Sequence, residues 1–321
     1  MSETLTVTVA ECRAEAADIK AFRLVSASGG ALPRAEAGAH IDLLLPNGLV
    51  RQYSLCNGPE ESGFYLIAIK RDEPSRGGSE WIHASLAQGQ TVEISAPRNH
   101  FPLHADAAKH YLLAGGIGVT PLFAMARSLA KAAAEFEMHY FARSDAHFAF
   151  RDALEAPPLK LHTHLYPGLD VAATRAAVAA TLARAEPESA SHLYVCGPGP
   201  FIDMCLAMTA HWPEGRVHFE RFSAVPVERE GGDHEFQVEL AQTGVTVTVP
   251  VGKSIVEALR EHKIYIDTDC EEGICGTCMT NVLSGAVDHR DSILTPQEIA
   301  RGEVMLPCVS RAKGDKIVLD A

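Results

Sequence analysis

The stretch Cys270-Glu271-Glu272-Gly273-Ile274-Cys275-Gly276-Thr277-Cys278, answered by Cys308 thirty residues further on, constrains this chain more than any other. Four thiolates spaced x4, x2 and then a long gap follow the plant-type pattern that holds a [2Fe–2S] cluster. Gly273 and Gly276 let a tight loop curl where a Cβ would crowd the cluster, with backbone N–H groups turned toward sulfur. A structural zinc site also uses four cysteines, but it more often pairs two Cys-x2-Cys knuckles. Only Cys275 and Cys278 form such a knuckle here. Cys270, Cys275, Cys278 and Cys308 are therefore the expected metal ligands, and the electrons for such a cluster must come from upstream.

The 321 residues suffice for two or three domains with sizeable cores. An apolar content of 47% with 21% charged residues is ordinary for a soluble globular protein. Met1-Ser2-Glu3-Thr4-Leu5 has neither a basic n-region nor an apolar h-region, so no secretory signal is expected. With four of eight cysteines clustered, a reducing cytoplasm is the expected location. The apolar run over 111–125 is broken by Gly115, Gly116, Gly118 and Pro121, which speaks against a membrane span. A net charge of −13 argues against nucleic acid and anionic membranes as partners and suits docking to a basic patch on a protein.

Residues 5–103 read as β-rich. Leu5-Thr6-Val7-Thr8-Val9 alternates, as do parts of 40–45 and 64–69, and turn signals stand at Gly29-Gly30, Pro46-Asn47-Gly48 and Asn57-Gly58-Pro59. Strands so spaced predict a small antiparallel barrel, and Ile82 and Leu86, four apart, predict a short helix over 79–87. Two pieces can carry chemistry. Arg51-Gln52-Tyr53-Ser54 points Arg51 and Tyr53 to one strand face, a guanidinium for a phosphate and a ring for a flat heterocycle. A half-buried surface strand explains it equally well. Arg76-Gly77-Gly78-Ser79 opens the helix with bared N–H groups that suit an anion, or is an ordinary loop with Ser79 as N-cap. Together the two describe a flavin mononucleotide site better than either does singly.

From His104 onward strands and helices alternate. The run 110–114 ends in Gly115-Gly116-Ile117-Gly118-Val119-Thr120-Pro121, and an alanine-rich helix follows to about residue 134. Further strands are expected at 136–141, 159–165, 192–196 and 217–222, with helices around 146–154, 171–185 and 201–211. That is the pattern of a doubly wound parallel sheet, whose ligands sit beyond the carboxyl ends of the strands. The first turn matches a dinucleotide fingerprint only in part, because Pro121 stands where a third glycine would. Cys196-Gly197-Pro198 ends the fourth strand with glycine for close backbone approach; a structural turn is the plainer account. No cysteine is followed two residues later by histidine, so a Rieske pair is absent.

Residues 227–235 read as a charged, glycine-containing linker. Beyond it a hairpin turns at Gln242-Thr243-Gly244, Ser254 to Glu257 forms a capping box, Thr295 caps a second short helix, and 316–319 supplies a closing strand. Hairpin, helix, cysteine loop and closing strands make a small β-grasp domain.

The three segments, in this order, resemble the phthalate dioxygenase reductase family over essentially the whole chain. The resemblance rests on Arg51-Gln52-Tyr53-Ser54, Gly77-Gly78-Ser79, the 115–121 turn, Cys196-Gly197-Pro198, Glu220-Arg221-Phe222-Ser223 and the four cysteines. It implies an FMN-binding antiparallel β-barrel at 1–104, an NAD-binding doubly wound α/β domain at 105–226, a linker at 227–235, and a plant-type [2Fe–2S] ferredoxin domain at 236–321. By motif, Tyr53 and Ser54 would contact the isoalloxazine, Arg51, Gly77, Gly78 and Ser79 would hold the FMN phosphate, and Lys70 would lie along the flavin. Thr120 and Cys196 would sit by the nicotinamide, Gly116 and Gly118 along the dinucleotide, and Phe222 over the flavin face. No long adenine-holding insertion is seen, which favours FMN over FAD. Arg143 can read a ribose phosphate while Asp145 would repel one, and the resemblance favours NADH. The implied activity is an NADH-dependent reductase that passes electrons through FMN and the cluster to a terminal Rieske oxygenase. The alternatives are a reductase with another acceptor and a non-catalytic redox-sensing module.

Overall fold

In the computed structural model, which describes residues 4–72, 77–104, 106–185, 190–224 and 233–321, the N-terminal alternation closes a barrel. Arg76 and most of the expected linker lie outside the described residues. Strands β1 (Thr4–Ala16), β2 (Ile19–Ser26), β3 (Ala39–Leu44), β4 (Val50–Ser54), β5 (Tyr65–Lys70) and β6 (Thr91–Ser95) pair antiparallel in the order β4-β3-β6-β1-β2-β5, with the two-residue β7 (Arg98–Asn99) on β3. A bridge between Leu55 and Ile67 joins the two ends of that order. Inward positions two apart, Val7 and Val9, Phe22 and Leu24, Ile41 and Leu43, Ile67 and Ile69, Val92 and Ile94, form one buried cluster. Helix α1 (Gly78–Ser85) adds Ile82 to it. Ser79 is not its cap: Gly77 holds that place with φ 86°, a left-handed turn that glycine makes without strain. Ser79 lies in the first turn, and its Oγ accepts the Asp72 N–H at 3.2 Å.

Strands β8 (Lys109–Gly115), β9 (Phe136–Ala142), β10 (Thr163–Pro167), β11 (Ser191–Cys196) and β12 (Val217–Glu220) form a parallel sheet in the order β10-β9-β8-β11-β12. Its crossovers carry α2 (Val119–Lys131), α3 (Arg151–Leu154), α4 (Val171–Leu182) and α5 (Gly199–Met208). Two expectations need correction. The helix around 146–154 shrinks to α3, because Phe150 takes a left-handed φ of 59° that interrupts any longer helix. The strand expected from 159 begins at Thr163, because Leu159–Leu161 forms a 3-10 turn whose Leu159 carbonyl accepts the Thr163 hydroxyl at 3.0 Å.

Barrel and parallel sheet share one core. Ile19, Ala21, Leu66 and Ala68, on the outer face of the barrel, join Leu112, Ala114, Leu122, Met125 and Tyr140 in a single buried cluster. The other face of the sheet packs Leu113 and Val195 against Val178 and Ile202 of α4 and α5. Each such buried aliphatic chain contributes about 1.5–3 kcal/mol. Polar ties run alongside, with Arg127 of α2 on the Glu61 carboxylate at 2.8 and 2.6 Å and the Phe150 N–H on Glu15 at 2.9 Å. Met1–Glu220 is accordingly one compact unit, and Arg221–Ala321 is a second.

In the second unit β13 (Phe236–Leu240) and β14 (Val245–Val249) make the expected hairpin. With β15 (Thr280–Ser284), β17 (Val304–Met305) and β19 (Lys316–Leu319) they order as β14-β13-β19-β15-β17, while β16 (Val287–Asp288) pairs with β18 (Arg311–Ala312). Helix α6 (Ile255–Glu261) sets Ile255, Ala258 and Leu259 onto Phe236, Val238, Val247 and Ile317, the grasp of a sheet around a helix. Both α6 and α7 (Pro296–Arg301) start with full capping boxes, at Ser254/Glu257 and Thr295/Glu298. Among the described residues no helix is long and apolar enough to cross a membrane.

Two imidazoles, His139 buried and His218 half-buried, make the first unit acid-sensitive. Burial, and then the neighbouring His104 and His192, lower His218 to about 3; burial lowers His139 to about 4. An unfolded histidine takes up its proton below about pH 6.5, and these two do so only well below that. Stability present at neutral pH is therefore lost as pH falls under 6.5, by about 2 kcal/mol for each at pH 5. His218→Gln is expected to reduce the drop in urea-unfolding midpoint between pH 7 and pH 5; an unchanged drop would remove His218 from the account.

Candidate functional site

Where the strand order of the parallel sheet reverses, two turns meet backbone to backbone. Gly116 has φ 54°. A Cβ on Gly118 would sit 2.2 Å from the Cys196 carbonyl oxygen, and one on Gly197 would sit 3.0 Å from the Gly115 Cα. Only glycine permits this approach, and it opens the crevice at the switch point between β8 and β11. Thr120, in the first turn of α2, is buried and donates its hydroxyl to the Ile117 carbonyl at 3.0 Å. Cys196 is buried too, and burial, then the nearby Glu220, push its thiol well up. In the parallel register Cys196 lies opposite Glu220. The Glu220 carboxylate oxygen lies 3.4 Å from the Ser54 hydroxyl of the barrel. Burial raises the Glu220 carboxyl to about 8, so it keeps its proton at neutral pH. Arg143, just past β9, is exposed and lies 3.9 Å from the Asp18 carboxylate. Asp145, expected to repel a phosphate, is paired with Arg151 at 3.0 Å.

On the barrel, Arg51 lies so close to the start of α1 that a Cβ on Gly78 would be 2.6 Å from its Nε. A guanidinium and the first N–H groups of a helix thus share one spot, the chemistry of an anion cradle. Half-buried Tyr53 stands two residues along β4, and burial, with Asp72 adding to it, raises its phenol. Lys70 ends β5 with Nζ 3.0 Å from the Asp72 carboxylate.

The cysteine loop brings its four thiols together in two pairs. Cys270 lies beside Cys275 and Cys278 beside Cys308, and within each pair the neighbouring thiol makes Cys275 and Cys278 the more acidic member. Four thiols paired in this way are the donor set that would hold a [2Fe–2S] cluster, which would supply one-electron transfer. Backbone N–H groups turn inward as expected: Glu272 donates to the Cys270 Sγ at 3.3 Å, and Ile274 and Gly273 serve Cys270 and Cys308. Gly273 and Gly276 have φ of 73° and 80°. A Cβ on Gly273 would meet Val309 at 2.7 Å, and one on Gly276 would meet Ile293 at 3.1 Å.

Comparison with known proteins matches two of these segments to known domain families and the whole chain to known relatives. Residues 238–313 match the family model of the 2Fe-2S iron-sulfur cluster binding domain, and residues 112–206 match that of the oxidoreductase NAD-binding domain. The chain is 46% identical over 315 residues to the vanillate O-demethylase oxidoreductase of Pseudomonas putida, covering 95% of this chain and 96% of that one. Among solved structures it is similar to phthalate dioxygenase reductase, described as a modular structure for electron transfer from pyridine nucleotides to [2Fe-2S]. That match has a TM-score of 0.71 and 37% identity over 99% of this chain and 98% of the other. The chain belongs to the phthalate dioxygenase reductase family. It is also similar, with a TM-score of 0.82 and 39% identity over 99% of its length, to an intact type IV self-sufficient cytochrome P450 monooxygenase, of which it spans 41%.

Within this phthalate dioxygenase reductase relative, Ser54, Cys196 and the two glycine turns gather in the first unit, as do Arg51, Gly77, Gly78 and Ser79. Phe222 follows β12 in the second unit and is 39% exposed. Glu220 is the residue that sequence reasoning left without a role. Its signal was faint, because an acidic residue closing a half-buried strand does not by itself demand a partner. The partner, Ser54, lies 166 residues away in sequence. Because the folded state holds the Glu220 proton up to about pH 8 and an unfolded glutamate releases its own near 4.5, stability falls as pH rises between those values. Glu220→Gln is expected to stabilise the protein by on the order of 2–4 kcal/mol at pH 8 and by little at pH 4.5. Denaturant midpoints at both pH values check this, and a pH-independent difference contradicts it.

Proposed function

We propose that this chain is the NADH-dependent reductase component of a two-component oxygenase system, carrying electrons from NADH through FMN and the [2Fe–2S] cluster to a Rieske-type terminal oxygenase. The observation that carries the reading is the presence, in one chain, of a four-thiol cluster loop together with a dinucleotide crevice and an anion cradle. A nicotinamide gives up two electrons as a hydride and a cluster accepts one, so a carrier that does both must stand between them. Flavin supplies that conversion when bound, and the residues of this chain supply its setting.

Arg51, Gly77, Gly78 and Ser79 hold the terminal phosphate of FMN, and Tyr53, Ser54 and Lys70 face the ring system. Gly116 and Gly118 let the dinucleotide backbone lie close to the turn, Arg143 meets the adenosine ribose, and Thr120 and Cys196 line the nicotinamide position. Glu220, protonated at neutral pH, and Ser54 offer hydrogen bonds beside the reacting face and exclude water there. The flavin domain spans 1–104, the nucleotide domain 105–226, and the ferredoxin domain 236–321 after a linker at 227–235. A plant-type cluster near about −400 mV runs downhill to a Rieske centre. The vanillate and phthalate systems of the relatives support an oxygenase as acceptor. A cytochrome P450-type acceptor is the second reading, favoured by the monooxygenase similarity.

The purified protein is expected to show flavin and iron–sulfur absorbance that bleaches on anaerobic addition of NADH. A colourless protein with bound zinc sinks the proposal. Reconstitution with a Rieske oxygenase and, separately, with a P450 decides the acceptor. Cys275→Ser is expected to lose cluster reduction by at least tenfold, an order-of-magnitude expectation for a lost metal ligand, while NADH-to-flavin transfer persists in stopped flow. Loss of both would contradict separate sites for the two carriers.

A further inference from the structure

One left-handed residue in the cysteine loop is not a glycine. Gly273 and Gly276 reach φ of 73° and 80° freely, but Glu271, between the first ligand Cys270 and Glu272, stands at φ 51°. That conformation costs an L-residue free energy that glycine would not incur. Its side chain explains the choice. Arg260, in the last turn of α6, sets its Nη2 2.5 Å from the Glu271 Oε1, and the Thr268 hydroxyl donates to the same oxygen at 3.1 Å. Both side chains of the ion pair are largely accessible, at 46% and 40%, so the pair adds little to global stability. The backbone angles of Glu271 aim the next N–H, that of Glu272, at the Cys270 sulfur 3.3 Å away.

We propose that Arg260 and Thr268 are positioning residues that clamp Glu271 in its left-handed turn, and so sustain the Glu272 N–H···S bond that sets the potential of the cluster. Hydrogen bonds to ligand sulfur stabilise the reduced, more negative cluster and raise its potential. The clamp thus governs how completely an upstream donor fills the cluster. The inference rests on the loop holding a [2Fe–2S] cluster.

The test is a dye-equilibrated potentiometric titration of the purified holoprotein, read by the EPR signal of the reduced cluster. Arg260→Ala is expected to lower the reduced-to-oxidised ratio at the wild-type midpoint about tenfold, or about 59 mV for a one-electron couple. Thr268→Val changes no charge and is expected to shift the potential in the same direction by less. In the Glu271→Gly background glycine holds the turn unaided, so adding Arg260→Ala is expected to change little. Equal shifts from Arg260→Ala in both backgrounds, with none from Thr268→Val, would make Arg260 a through-space charge and overturn the clamp. An Arg260→Ala protein that fails to assemble a cluster leaves Thr268→Val to decide: a lowered potential supports the clamp and an unmoved one refutes it. A wild-type protein without a [2Fe–2S] signal would overturn the cluster itself, and is told apart because it is seen before any substitution is made.

Discussion

Strand β5 has no solvent face. Its Ile67 and Ile69 fill the barrel while Leu66 and Ala68 enter the core shared with the parallel sheet, and β2 does the same with Phe22 and Leu24 on one side and Ile19 and Ala21 on the other. One strand buried on both faces, and a second so buried over residues 19–22, lock barrel and sheet into one body at the level of packing rather than by a few polar ties. That lock fixes Ser54 of the barrel against Glu220 of the sheet. Hydride transfer needs reacting atoms about 3–3.5 Å apart and aligned. A joint that slipped by an ångström could cost about a hundredfold in rate.

Much of this was legible in sequence, for a physical reason. The cysteine spacing is local, since four ligands and two glycines state their chemistry within a few residues and one distant partner. The glycine turns were legible for the same reason, because close backbone approach leaves no room for another residue. The strands at 5–9, 40–45 and 64–69 were legible because each needed an apolar face, although 64–69, expected to alternate, is buried on both faces. The apolar run of β5 also carried the information that its second face would be covered, although not by what.

The failures share a different cause. Phe148, Ala149 and Phe150 read as part of a helix, yet they are spent filling the shared core, and Phe150 turns left-handed to do so. Ser79 looked like a cap, but the chain needed a left-handed residue at the helix start, and Gly77 supplied it. In each case a tertiary demand overrode a local preference that a window of the sequence could not weigh. Glu220 is the extreme case: its burial, its proton and its partner are all consequences of a contact across the joint.

The two kinds of transfer also place unequal demands on the fold. Hydride transfer requires two rings in contact, and the residues assigned to flavin phosphate, flavin ring and dinucleotide, Phe222 apart, lie in the single unit that the shared core makes rigid. Passing one electron to iron requires no such contact between reacting atoms, and the four thiols belong to the other unit, with a core of its own around Phe236, Val238, Leu259 and Ile317. For that step potential matters alongside separation, and no alignment of reacting atoms is needed. Accordingly the first unit devotes its unusual features, Gly118 against Cys196 and a protonated Glu220, to geometry. The second devotes its one strained non-glycine in the cysteine loop, Glu271, to the direction of a single N–H bond.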